Sequence, residues 1–428
     1  MVPGNTRGAD EVGVSRRTAL RVGGGALIAG FAGCLELGAS DSPDGGDWPT
    51  FGSDAANTGA TRTQGPTEPG ELWTAEVGVV IGSPAVVGDT VYVGTAAGDD
   101  YDDGDLYALD AETGDERWSF DIGAPVYGTP AVAGDAIYVL SHEGAGDEAE
   151  ASAVAIGLDG DEEWTSELPG MSGGSLAVVD DTVYALTFEG LYALDAETGD
   201  ERWSEQGFWT SLEGVAVAGD TVYVGAQSRW FALDAESGDE LWSYGAEDGA
   251  HTSVGVVAGE ELIYFPTTGG DGLVAVAADT GETEWTAEGA WFTHTPALAD
   301  GTVYAGIEPG GALQDVFDET GSRIVALDAE AGEREWEFDR TGTDDLGLTP
   351  IVGNDAVYAR TFDGLYALDA DGGSIHWEYD DPFGLPWEEG PFERPPDSSQ
   401  GLASQPVLVD GVLFVASATG GVYAVGEA

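Results

Sequence analysis

Few residues in this chain have the type and spacing to do chemistry. Ser15-Arg16-Arg17-Thr18-Ala19-Leu20 is a twin-arginine pattern, and a Gly/Ala-rich apolar stretch from Val22 to Ala32 follows it. That stretch is too short to span a bilayer, which takes about 20 apolar residues, and it reads as an export address. It ends in Phe31-Ala32-Gly33-Cys34, similar to a lipobox. Cys34 is the single cysteine, so no intrachain disulfide can form. Its place directly after the address assigns it as the lipid-bearing first residue of the mature chain rather than a stray buried thiol. His251 and His294 raise the question of a metal pair, but no third ligand stands at a diagnostic spacing, and loop histidines are the preferred reading. Asp99-Asp100-Tyr101-Asp102-Asp103-Gly104-Asp105 misses the spacing of a helix-flanked calcium loop and reads as a solvated loop. No Gly-rich phosphate loop or His-Glu-x-x-His helix is present. The expectation is no catalytic, cofactor-binding or metal residue.

The composition limits partners. Of 428 residues, 80 are Asp or Glu and 13 are basic, for a net charge of −67; every basic residue is Arg. A surface this negative repels phosphates, which excludes nucleic acid. The acids are spread through every segment, as in Asp110-Ala111-Glu112-Thr113-Gly114-Asp115-Glu116, and are read as a solvated surface rather than as ligands. Uniform acidity without Lys resembles the proteins of extreme halophiles, archaeal ones in particular, where multimolar salt screens self-repulsion.

The elements that must carry any site emerge from an internal repeat. Trp73, Trp118, Trp164, Trp203, Trp242, Trp285, Trp336 and Trp377 recur at intervals of 45, 46, 39, 39, 43, 51 and 41 residues. The phrase Leu106-Tyr107-Ala108-Leu109-Asp110-Ala111-Glu112-Thr113-Gly114-Asp115-Glu116-Arg117-Trp118 returns at 191–203, 231–242, 324–336 and 365–377. About twenty residues upstream stands a second phrase, Ser83-Pro84-Ala85-Val86-Val87-Gly88-Asp89-Thr90-Val91-Tyr92, echoed in the following units. These are short alternating apolar runs joined by Gly-containing turns, the signature of strands and hairpins. Each unit supplies four strands, A (83–87), B (90–94), C (106–109) and D (116–120). Four-stranded units at this period predict β-propeller blades. Eight A strands and eight C strands are counted. The first D strand, around Trp73, precedes every A strand, and the last unit lacks a D strand. The fold expected is therefore all-β, an eight-bladed propeller of four-stranded antiparallel blades whose N-terminal strand closes the last blade. The blade Trp are read as plates packed between neighbouring sheets. The domains are residues 1–33 as a twin-arginine lipoprotein signal peptide, 34–70 as a flexible tether and lead-in, and 71–428 as the propeller.

The repeated phrase resembles the PQQ-type propeller repeat shared by quinoprotein dehydrogenases and BamB-like lipoproteins, over residues 73–428. Trp48-Pro49-Thr50-Phe51-Gly52 with Asn57-Thr58-Gly59 is similar to the lead-in of BamB-like members. The dehydrogenases would imply bound PQQ and calcium, a vicinal Cys-Cys disulfide and a catalytic Asp. This chain has one Cys and no position matched to that Asp, so the dehydrogenase stands as the alternative reading.

Antiparallel order places A–B and C–D turns on one face and B–C and D–A connections on the other. The first kind are short and uniform. The major insertions, at about 95–104, 141–151, 266–272, 307–322 and 380–404, all belong to the second, which marks the binding face expected here. On it lie the hydroxyl-rich positions before the A strands (Ser83, Thr129, Ser175, Ser253, Thr295, Thr349), read as satisfying local backbone donors. The candidates for contact are Trp209, Trp291, His251, His294 and Trp387, with Phe208, Phe292, Phe383 and Phe392 beside them. The reading is a non-catalytic protein, exported by the twin-arginine route and held on the outer side of the cytoplasmic membrane by a lipid on Cys34. It would present loops to a protein or surface-polymer partner.

Overall fold

A computed structural model of the chain describes residues 47–80, 82–97, 103–144, 149–207, 215–226, 229–245, 255–267, 272–287, 291–292, 294–308, 323–339, 349–360, 364–380, 404–417 and 421–428, with only the backbone at 291, 292, 308, 339 and 380. The described strands form eight antiparallel sheets, the blades of a β-propeller. In the order A to D, blade 1 is Ala85–Val87, Thr90–Gly94, Asp105–Asp110 and Glu116–Asp121. Blade 2 is Ala131–Ala133, Ala136–Glu143, Glu150–Gly157 and Glu162–Pro169. Blade 3 is Ala177–Val179, Thr182–Leu186, Gly190–Asp195 and Glu201–Gln206. Blade 4 is Ala216–Ala218, Thr221–Ala226, Arg229–Asp234 and Glu240–Tyr244. Blade 5 is Val257–Ala258, Leu262–Thr267, Gly272–Ala277 and Thr283–Ala287. Blade 6 is Ala297–Ala299, Thr302–Glu308, Arg323–Asp328 and Arg334–Asp339, and Trp291–Phe292 adds a short fifth strand against Ile307 and Glu308. Blade 7 is Ile351–Val352, Ala356–Arg360, Gly364–Asp369 and Ile375–Asp380.

Blade 8 joins both ends of the chain. Its A, B and C strands are Val407–Val409, Val412–Ser417 and Gly421–Glu427, and its D strand is Pro69–Ala75. Trp73 stands opposite Ala424, the register that Trp118 takes with Ala108. The closing turn is also rebuilt from two ends. In blade 1 the Asp110 carboxylate accepts from the Thr113 amide at 3.0 Å and from its hydroxyl at 3.0 Å. In blade 8 the Glu427 carboxylate accepts from the Thr67 amide at 2.8 Å and its hydroxyl at 2.9 Å, although 360 residues separate them.

B and C strands are buried almost throughout, whereas D strands such as Glu116–Asp121 are largely exposed, so A strands lie toward the axis and D strands at the rim. The eight repeat Trp link each blade to the next. Trp118 donates its indole N–H to the Leu158 carbonyl at 3.1 Å, Trp164 to Ala196 at 2.9 Å and Trp203 to Ala235 at 2.9 Å. Trp242, Trp285 and Trp336 do the same with Ala278, Ala329 and Ala370, and Trp73 with Ala111. Trp377 ends the circuit on the Pro66 carbonyl at 2.7 Å, where the lead-in replaces the missing turn. Apart from Pro66, each acceptor lies in the C–D turn of the following blade, whose Gly lies directly under that same indole. A Cβ on Gly114, which has φ 73°, would stand 2.5 Å from the Trp73 ring. Position and φ both require glycine there.

One insertion differs from expectation. The stretch 141–151 of blade 2 is strand at both of its ends: B runs on to Glu143 and C begins at Glu150, with Ser141 opposite Ser152, His142 opposite Ala151 and Glu143 opposite Glu150. Alternating burial of small side chains at Ala151 and Ala153 lets the ladder extend.

Candidate functional site

The axis is occupied by the chain itself. The A strands have three residues or fewer, and the middle residue points its N–H away from strand B, because antiparallel hydrogen bonding alternates sides. Those inward N–H groups need partners, and residues 47–63 supply them. Trp48 exchanges both bonds with Val86, its carbonyl accepting at 2.8 Å and its amide donating at 2.6 Å. The Pro49 carbonyl accepts from Val132 at 2.8 Å, Ala55 from Val217 at 2.6 Å and Ala56 from Ala258 at 2.9 Å. Thr58 accepts from Leu298 at 2.7 Å and Gly59 from Val352 at 2.8 Å. The lead-in thus visits blades 1, 2, 4, 5, 6 and 7 in order before Pro69–Ala75 joins blade 8. From Asp47 onward, the segment expected as tether and lead-in is docked on the ring.

Side chains fix the docking. Trp48 is fully buried in the core shared by blades 1, 7 and 8. The Asn57 amide donates to the Val215 and Val256 carbonyls, each at 3.2 Å, bridging blades 4 and 5. The Gln405 side chain of blade 8 accepts from the Gly52 amide at 3.2 Å. Asp54 accepts from the Thr58 amide at 3.0 Å and hydroxyl at 2.6 Å, yet burial pushes its carboxyl above the usual range. Both ends of the segment leave by the A–B turn side, where Asp47 accepts from the Gly88 amide at 2.7 Å and the Thr63 carbonyl from the Asn354 amide at 3.0 Å.

That turn face is repetitive and self-satisfied. Arg117 bridges Asp89 and Asp110 at 2.7 Å each, and Arg202 bridges Asp181 and Asp195 at 2.8 and 2.7 Å. The Arg117 guanidinium holds the Asp89 carboxyl down at about 2. His376 takes the Arg117 position in blade 7, 3.3 Å from Asp369. These pairs are exposed and each is worth little.

The opposite face gathers the blade-specific chemistry. His142 is buried, bonded through Nδ1 to the Ser172 hydroxyl at 2.7 Å and stacked on Tyr127 at 4.9 Å, and burial pushes its pKa down. Arg229 lies over the Phe231 ring at 5.1 Å and donates to the Ser243 hydroxyl. Trp230, at a position where Leu191 and Leu365 stand in other blades, packs on Phe265 at 5.0 Å; Gly225 opposite makes room for it. Buried Arg360 donates to the Ala416 carbonyl at 2.7 Å and the Ser404 hydroxyl at 3.2 Å, joining blades 7 and 8. The hydroxyls before the A strands also tie blades together: the Ser83 amide donates to Thr129 Oγ1 at 3.1 Å and the Thr129 amide to Ser175 Oγ at 3.0 Å.

Of the residues singled out from the sequence, Arg16, Arg17, Cys34, Trp209, His251 and Trp387 lie outside the described residues, as do Phe208, Ser253, Phe383, Phe392 and the run 98–102. The side chains of Trp291 and Phe292 are likewise outside; their backbone forms the short strand of blade 6. His294 is half-buried just before the A strand of blade 6. Sequence reasoning passed over His142, Arg360, Trp230 and Asp54, and it took residues 47–63 for lead-in alone. The departures of Trp230 and Arg360 from the repeat were the available signal. Among the described residues no group of three or more His, Cys, Asp or Glu is placed to hold a metal, and no helix is long and apolar enough to cross a membrane.

A ring of eight Trp-latched blades with its axis filled from one side defines the class: a closed β-propeller built on a PQQ-like repeat. The chain belongs to the family described as outer membrane protein assembly factor BamB, which it matches over residues 65–207, 148–267 and 232–428. Its fold is similar to that of BamB from Moraxella catarrhalis, at 16% identity and a TM-score of 0.63, covering 84% of this chain and 99% of that one. It is also similar to a quinohemoprotein alcohol dehydrogenase from Pseudomonas putida HK5, at 14% identity and a TM-score of 0.67, covering 89% and 80%. A computationally designed protein, Ika8, shares the fold at 13% identity and a TM-score of 0.64, covering 83% and 98%. A search of curated proteins finds no match to the chain.

Proposed function

We propose that this chain is a non-catalytic scaffold of a halophilic archaeon. It is exported by the twin-arginine route, anchored outside the cytoplasmic membrane through a lipid on Cys34, and presents one propeller face to a protein or surface-polymer partner. The observation that carries this reading is the asymmetry of the ring. One face holds the short A–B and C–D turns, the two Asp–Arg–Asp clamps and both ends of the lead-in; the other holds the B–C and D–A connections, beside which His142, Trp230 and Arg360 depart from the repeat. Variation confined to one face of a repeat protein marks where partners are met. Crosslinking in intact cells followed by mass spectrometry should recover one reproducible partner joined through insertion-face residues. Crosslinks only through the turn face, or none above background, would sink the reading. Cys34→Ser should release the protein from membranes into the medium if the anchor is as proposed. The dehydrogenase stands as the alternative, since a quinohemoprotein alcohol dehydrogenase shares the fold. Dye-linked alcohol oxidation after adding PQQ and calcium would favour it over the scaffold.

A further inference from the structure

We propose that the axis of the ring is a receptor for one extended peptide, occupied in cis by residues 47–63 and able to take the same sequence in trans. Six inner strands each present one inward amide that strand B leaves unbonded, and the segment answers with one carbonyl for each of these blades, in blade order. This is recognition by backbone, the logic of strand addition to a sheet edge, wound into a circle. Side chains add selectivity at two points, the buried Trp48 and the Asn57 amide that spans two blades. Backbone shape adds it at a third: Gly52 has φ 67°, and a Cβ there would lie 2.5 Å from the Asn57 backbone.

Two features make the occupant exchangeable rather than an internal strand. The segment's backbone, residues 47–63, meets the ring only through single hydrogen bonds and the isolated bridges Trp48–Val86 and Ala60–Val352, so its departure breaks no pairing between strands of a blade. Both of its ends sit on the turn face, beside Gly88 and Asn354. It therefore enters and leaves by one mouth, and withdrawal threads no loop through the ring. The ring left behind carries six orphaned amides, which is what gives the vacated site affinity for a replacement. This inference is independent of the scaffold reading, because it concerns the opposite end of the axis.

The test uses the full chain and a fluorescent peptide of residues 47–63. In the wild type, the amides of Val86, Val132, Val217, Ala258, Leu298 and Val352 should resist hydrogen exchange, and the peptide should not bind. In Asn57→Ala, or the milder Asn57→Asp should the first misfold, those six amides should exchange at least tenfold faster while strand-B amides of the same blades stay protected. The added peptide should then bind saturably and restore protection, and a scrambled peptide should not. If the six amides exchange only together with strand B in every variant, the segment is part of the cooperative core and the proposal is overturned. Release of the amides without peptide binding overturns it equally.

Discussion

At the scale of single residues, the blade repeat is a set of contacts that tolerate no added atom. Gly114→Ala places a methyl on the Trp73 ring at a left-handed φ, which should cost about 1–3 kcal/mol; denaturant melts would show a lower midpoint at unchanged slope. Asp54 is the opposite case. Its carboxyl is raised by burial, so the folded state holds a proton that the unfolded state has released between the unfolded value near 3.9 and the folded one. The charged form therefore weakens the fold above the folded value, and the penalty is relieved as pH falls through it. Asp54→Asn keeps the acceptor for the Thr58 amide and removes the buried charge, so it should raise the melting temperature at pH 7, with the gain vanishing as pH falls toward the unfolded value. His142 works with the other sign: its folded pKa lies below the unfolded value of about 6.5, so its stability is intact above that pH and is lost as pH drops beneath it. Thermal melts between pH 7 and 5 should show this slope in the wild type and a shallower one in His142→Gln.

At the scale of elements, the period of the Trp residues alone was enough to define the blades, because each strand is short, alternating and punctuated by a Gly turn. Strands expected at 90–94, 106–109 and 116–120 are found at Thr90–Gly94, Asp105–Asp110 and Glu116–Asp121. The closing strand was legible for the same reason: a D strand was left over at one end of the chain and missing at the other. Deleting residues 420–428 removes the partner of Pro69–Ala75 and the Glu427 bonds to Thr67, and should lower the melting temperature by ten degrees or more. An unchanged melt would refute the closure. The lead-in was legible only as a familiar phrase. Trp48, Asn57 and Gly59 carry no periodicity, so nothing local says that their partners are Val86, Val215 and Val352, up to 293 residues away.

At the scale of the whole molecule, charge and topology act separately. A chain with a net charge of −67 strongly repels itself when compact unless screened, and the Debye length falls from about 10 Å at 0.1 M to about 3 Å at 1 M salt. The melting temperature should climb steeply with potassium chloride into the molar range, and a flat salt profile would contradict the adaptation argued from the composition. The sequence by itself determined the fold class, the blade count and the closure, since these follow from repetition, and repetition is local information. Only the tertiary structure decided that the axis is filled by residues 47–63, that Glu427 and Thr67 rebuild a severed turn, and that His142 and Asp54 sit where their proton affinities shift. Those depend on which unpaired backbone groups meet across the ring, and such meetings are set by closure in space rather than by neighbours along the chain.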